Sequence, residues 1–276
     1  METFPETPPL SETSLSGHLW IQEVVTGRRL RFQVAQSGLL SFDAPKETFD
    51  SDDVPLPYRR ATEYVRDELD LTALRSATDD TESITFFGIA TLYEGIEYDW
   101  SELPPFVGVD IWFDETDAYL SPDAGVKAYD AVGLPSLPAV EKEASAKYTD
   151  LDGYVAGEMP SSEWKDGSAF GVLVRDKSGG RGVARRADAV ETDTDTETFD
   201  TPEGIAERYA TDERIDLTAD NLAEAQKETT VKAVLDRLLS EVVRENYTKL
   251  YSGDELVVSE KEFRSAVAER VRRRLG

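Results

Sequence analysis

The sequence predicts an α+β fold, a strand-rich body of antiparallel sheets and helices followed by a small helical C-terminal domain. Three observations predict it. Apolar and aromatic runs of strand length, bounded by Gly, Pro and Asp, recur as far as Arg186. An acidic, threonine-rich run from Glu191 to Asp200 then offers little to bury and reads as a linker. Beyond it the apolar residues fall at helical spacing. The expected domains are therefore 1–190, a linker at 191–200, and 201–276.

Pro5 to Ser16, rich in Pro, Thr, Ser and Glu, reads as an extended lead-in. His18 to Val25 and Leu30 to Val34 follow as strands, and Thr26-Gly27-Arg28-Arg29 between them resembles a hairpin turn. Leu39 to Phe42 continues the meander. Ala61, Tyr64, Val65 and Leu69 share one helical face, which predicts an amphipathic helix over Tyr58 to Leu71. Ser83 to Leu92 and Phe106 to Phe113 read as buried strands. Ser121-Pro122 opens a helix that Gly133 closes. Phe170 to Asp176 and Arg181 to Arg186 pair across Lys177-Ser178-Gly179-Gly180. In the C-terminal part Val231, Val234, Leu235, Leu238 and Val242 form one stripe. Ser259 to Glu262 is a capping box for a last helix with Phe263, Val267, Val271 and Leu275 on one face.

Composition excludes several classes of function. No cysteine is present, so disulfides, thiolate metal sites and cysteine nucleophiles are ruled out, and the single His18 rules out a multi-histidine zinc site. No apolar run reaches membrane-spanning length, and METFPETPPL lacks the marks of a signal peptide, so a cytoplasmic protein is expected. Acidic residues number 56 against 30 basic, a net charge of −26. At about 1 M salt the Debye length is about 3 Å, which screens such self-repulsion. The acidity, spread along the whole chain, reads as adaptation to a high-salt cytosol.

Three segments carry a family resemblance. HLWIQEVVTGRRLRF keeps Glu23 and Gly27 of a Glu-Lys-x-Asp-Gly signature. FFGIATLYEGIEYDWSELPPFVGVDIW, Phe86 to Trp112, is similar to a stretch reading Phe-Gly-Glu, Tyr-Asp-Trp and Phe-x-Gly-x-Asp-x-Trp. SSEWKDGSAFGVLVRDKSGGRGVARR, Ser161 to Arg186, resembles one with Ala-Glu-Gly-Val-Val-x-Arg and a final Arg-x-Lys. Together they resemble the ATP-dependent RNA ligases of the lysine-nucleotidyltransferase superfamily, of haloarchaeal type. The resemblance implies a ligase-like adenylation domain over 1–190, whose relatives attack the α-phosphate of ATP with a lysine amine.

The chain departs from that pattern where the chemistry lies. Val24 stands for the nucleophilic lysine, Thr26 for the aspartate two positions on, Ile89 and Phe170 for two glutamates, and Val183 for the last lysine. Pro45 or Lys46 falls where relatives carry an arginine. Glu23, Gly27, Gly88, Asp110, Trp112 and Gly171 persist as framework. The expectation is a ligase-like protein that forms no lysyl-AMP, needs no cofactor and binds no metal. It would act on RNA or as partner of an active ligase. An alternative is a working ligase with a relocated nucleophile, Lys46 or Lys177, which would need ATP and Mg²⁺. A third reading is an interaction module recruited through the helical domain. Arg28, Arg29, Arg31, Arg175, Arg181 and Arg185, on two hairpins, are the candidate RNA contacts, weighed against a solvated salt-bridged face. His18, Asp99 and Glu102 read as structural or turn residues.

Overall fold

The structure is a computed structural model that describes residues 2–50, 53–186 and 201–276. The linker expected at 191–200 lies outside the described residues. The architecture is α+β with antiparallel sheets, and two compact units are distinguished: Met1–Thr91 with Gly95–Glu191, and Leu92–Glu94 with Thr192–Gly276.

The first unit holds two sheets. One has four strands in the order β10-β9-β1-β8, built from β1 (His18–Val24), β8 (Ala139–Ser145), β9 (Gly171–Asp176) and β10 (Arg181–Arg185). The other has six: β2 (Gly27–Val34), β3 (Leu40–Ala44), β4 (Glu47–Phe49), β5 (Ile84–Thr91), β6 (Phe106–Phe113) and β7 (Ala118–Tyr119), in the order β4-β3-β2-β5-β6-β7. Helices α1 (Leu56–Glu68), α2 (Leu71–Ala77), α3 (Pro122–Ala131) and α4 (Leu151–Val155) complete it.

The expected hairpin between the first two strands does not form. β1 pairs with β8 and β9, whereas β2 pairs with β3 and β5, so the chain changes sheets at Val25–Thr26. Gly27 makes the corner: its φ is +142°, and a Cβ there would meet the Ala90 carbonyl oxygen at 2.1 Å. The helix expected over 58–71 also divides. Asp70 accepts from the Thr72 and Ala73 N–H groups, both at 2.9 Å, and caps a second helix where a longer one would have run on. Ser121 bonds the Asp123 carboxylate at 2.8 Å, so Pro122 opens α3 without a side-chain cap.

Period-two alternation sorts the side chains into layers. On one face of the six-stranded sheet Leu30, Phe32, Phe86 and Phe106 pack with Val65 and Tyr129. Phe32 and Phe86 stack at 4.7 Å and Phe106 meets Phe32 edge-on at 5.7 Å, pairs worth about 0.5–1.5 kcal/mol each beyond area burial. On the outer face of the four-stranded sheet Leu19, Ile21, Val172 and Val174 pack with Leu10. A third cluster, including Val25, Tyr98, Trp164, Phe170 and Leu173, draws on both sheets.

The second unit is helical: α5 (Pro202–Tyr209), α6 (Asp212–Glu224), α7 (Val231–Glu245), α8 (Tyr247–Leu250) and α9 (Glu260–Leu275), with the short strands β11 (Tyr251–Ser252) and β12 (Glu255–Leu256). The α7 stripe buries Val234, Leu235, Leu238 and Val242 against Phe263, Val267 and Val271 of α9, while Leu275 stays exposed. The Ser259 hydroxyl accepts from the Glu262 N–H and caps α9, the serine half of a capping box. Part of the Arg-rich α9 end is tied inside this unit: Arg274 pairs with Asp216 and Arg270 donates to the Ala210 carbonyl at 2.7 Å. Tyr93, which leaves β5, joins this unit by donating to the Arg244 carbonyl at 2.8 Å. Among the described residues no helix is long and apolar enough to cross a membrane.

Candidate functional site

A cleft of about 110 Å³ opens between the facing surfaces of the two sheets. The strand period decides what enters it. From β1 comes Val24; from β9 and β10 come Leu173, Val183 and Arg185; from β2 and β5 come Arg29, Phe87 and Ile89. Gly88 lends the wall its backbone, and a Cβ there would meet the Phe106 ring of the core at 2.3 Å. Of the five positions at which the sequence resemblance leads one to expect replaced residues, three line the cleft together: Val24, Ile89 and Val183. Thr26 and Phe170 do not. Thr26 is buried with its N–H on the Tyr98 hydroxyl at 3.2 Å, and Phe170 belongs to the apolar cluster behind the wall. Gly171 sits at the start of β9, where a Cβ would meet the Ala184 carbonyl at 2.4 Å.

Glu23 turns away from Val24. It is 1% exposed, accepting from the Ser162 hydroxyl at 2.5 Å and the Glu163 N–H at 2.8 Å. Burial raises its pKa, and the two donors only partly offset this. Its role is to hold the loop before β9.

At one end of the cleft Asp110, 2% exposed, joins the sheets. Arg175 of β9 reaches it at 2.6 Å, and Arg181 of β10 binds both its oxygens at 2.8 Å. Arg175 also donates to Gln22 and to the Val109 carbonyl. Burial pushes the Asp110 carboxyl up, but the two guanidinium charges outweigh it and hold the group below its ordinary range. Burial lowers Arg175, which stays charged; burial also lowers Arg181, but its hydrogen bonds and charge pairing with Asp110 outweigh this and raise it.

This geometry divides the arginines expected to form one patch. Arg175 and Arg181 are spent on Asp110, and Arg31 pairs with Asp43 at 3.4 Å. Arg28 and Arg29 are neighbours on a strand, not on a turn, so they point to opposite faces; only Arg29 lines the cleft. Arg29 and Arg185 are exposed and line the cleft. Lys46 sits in the exposed turn between β3 and β4. Lys177 holds Glu143 at 2.8 Å, a bond that raises its pKa and keeps it protonated. His18 and Asp99 have local partners, Glu143 and Ser101.

Sequence reasoning missed what lies across the cleft. The lead-in and the residue before it are built into the site: Phe4, Pro5 and Thr7 are part of its lining. An apolar residue every few positions in an otherwise polar stretch (Phe4, Leu10, Leu15) was the available signal.

No protein-family profile matches the chain, and no curated protein matches it in sequence. Solved structures do. A variant of the Naegleria gruberi RNA ligase with AMP and Mn superposes with a TM-score of 0.50 at 12% identity, covering 67% of this chain and 56% of that one. The fold is that of an RNA ligase nucleotidyltransferase. A second variant of the same ligase, with ATP and Mn, gives the same TM-score, identity and coverage. An archaeal ATP-dependent RNA ligase covers 100% of this chain and 65% of its own length at 16% identity, with a TM-score of 0.49. The ligase-like chain thus spans little more than half of the Naegleria ligase, and at these identities the likeness is one of fold.

Proposed function

We propose that this is an RNA ligase-like protein of haloarchaeal type whose catalytic motif residues have been replaced, and that it binds RNA or supports an active ligase without forming lysyl-AMP. The observation that carries the reading is Val24 on the cleft wall at the position that matches the family's lysine. A valine offers no amine to attack a phosphate. Ile89 and Val183 replace two further polar groups around the same space. An adenine nucleotide with its divalent metal does not fit this lining, since nucleotide pockets need placed polar groups and Val24, Ile89, Leu173 and Val183 offer none. Lys177 is not among the residues that line the cleft and is paired with Glu143 at 2.8 Å, which speaks against its serving as the nucleophile there. The division into a ligase-like domain, a 191–200 linker and a helical domain belongs to the same proposal.

RNA contact falls to the exposed cleft cations. Phosphate contacts by Arg are sequence-independent and weaken steeply with salt. Arg29→Glu and Arg185→Glu together should lower affinity equally for all RNA sequences, and each lost phosphate contact should reduce the salt slope by about 0.7 on single strands. Arg28→Glu, on the other face of β2, should matter less. Fluorescence anisotropy across a KCl series measures this. Binding that survives the cleft variants would reject the cleft as the RNA site, and no binding at any salt would leave the partner role.

A further inference from the structure

The segment lying in the cleft behaves as a ligand would. Phe4 meets Phe87 edge-on at 5.3 Å and lies under the Arg31 guanidinium at 5.4 Å. The Thr3 carbonyl accepts from the Tyr119 hydroxyl at 2.7 Å, and the Glu2 carbonyl accepts from Arg31. Further along, the Pro8 carbonyl accepts from the Val183 N–H at 3.0 Å, and Pro9 forms a parallel bridge with Val183. Val183 is on β10, the edge strand of its sheet. The segment then wraps round that edge and buries Leu10 on the outer face, where a Cβ on Gly182 would meet it at 3.0 Å.

The chemistry is that of extended-peptide recognition at a sheet edge: main-chain bonds give attachment, and side chains in pockets give selectivity. Proline suits the role because it accepts at the edge but cannot donate to extend the sheet. Charge agrees. Residues 2–13 carry Glu2, Glu6 and Glu12, whereas the cleft lining from β2 and β10 presents the exposed Arg29 and Arg185 in a chain of net charge −26. We infer that the cleft is a groove for an acidic, proline-containing extended peptide, and that residues 2–13 of this chain are its resident occupant. Access to the cleft then requires their release. The inference rests on these contacts and not on the replaced lysine, so either can fail alone.

The test uses the full chain. Phe4→Ala removes the ring contacts of a half-buried residue outside the described cores. Tyr119→Phe removes only the hydroxyl that holds Thr3, and serves should the first variant fold poorly. Hydrogen exchange at the Val183 amide reports release directly. It should quicken by roughly tenfold in Phe4→Ala, the size expected for losing an aromatic and a cation–π contact, and by less in Tyr119→Phe. A labelled synthetic peptide of residues 2–13 should bind Phe4→Ala more tightly than the intact chain, and lose that binding when its own Phe4 is alanine. Unchanged Val183 exchange in both variants, or no difference in peptide binding between Phe4→Ala and the intact chain, would overturn the inference.

Discussion

Asp110→Asn destabilises the ligase-like unit by about 3–5 kcal/mol, the cost of breaking a buried ion cluster from one side. The carboxylate is the one anion between two guanidinium groups whose side chains are 5% and 13% exposed, and the isosteric amide leaves both cations uncompensated. Replacing all three charges together with apolar residues of similar volume should cost much less, because the desolvation penalty goes with them. That contrast separates a lost charge from a lost shape, and urea unfolding of both variants measures it. The acid limb carries a second signature. The folded pKa of Asp110 lies below its unfolded value, so its contribution is present above about pH 3.9 and is lost as pH falls through the folded pKa. Asp110→Asn should therefore lose stability less steeply on acidification over that window.

Salt has the next largest effect. Lowering KCl from about 1 M to about 0.1 M lengthens the Debye distance from about 3 Å to about 10 Å and restores repulsion across a chain of net charge −26. A loss of several kcal/mol lowers the melting temperature by on the order of 10 °C in units of this size. Surface pairs such as Lys177–Glu143 and Lys127–Asp123 are too exposed and too well screened to offset it. Thermal melts across a KCl series decide the point. A midpoint unchanged from low to molar salt would contradict adaptation to a high-salt cytosol.

Local signals in the sequence carried most elements. The runs at Phe106 and Gly171 are bounded by Pro and Asp and form strands where expected, and the α7 and α9 stripes pack as their spacing requires. The sheet change after β1 was hidden because two adjacent strands with a glycine between them read as a hairpin, whether they pair with each other or with distant partners. β8 was missed because three consecutive charged residues, Glu141, Lys142 and Glu143, interrupt it on a sheet edge where only Ala144 is fully buried. At the site, motif order grouped Val24, Thr26, Ile89, Phe170 and Val183, of which Val24, Ile89 and Val183 line the cleft. Thr26 is buried under Tyr98 and Phe170 turns into an apolar cluster, which motif order does not show. The arginines could not be sorted from the sequence either, because whether a cation is free or spent depends on what the opposite sheet presents to it. Asp110 decides that for Arg175 and Arg181, from a strand some 65 and 71 residues earlier.

The most direct test of the central claim is covalent labelling. The intact protein is incubated with α-labelled ATP and Mg²⁺ or Mn²⁺ from low to molar KCl, and denatured protein is examined for acid-labile AMP. With Val24 on the cleft wall and Lys177 held by Glu143, the account predicts no label in the protein under any of these conditions. A labelled band that disappears in Lys46→Ala or Lys177→Ala would contradict it, and would make this chain a working ligase with a relocated nucleophile.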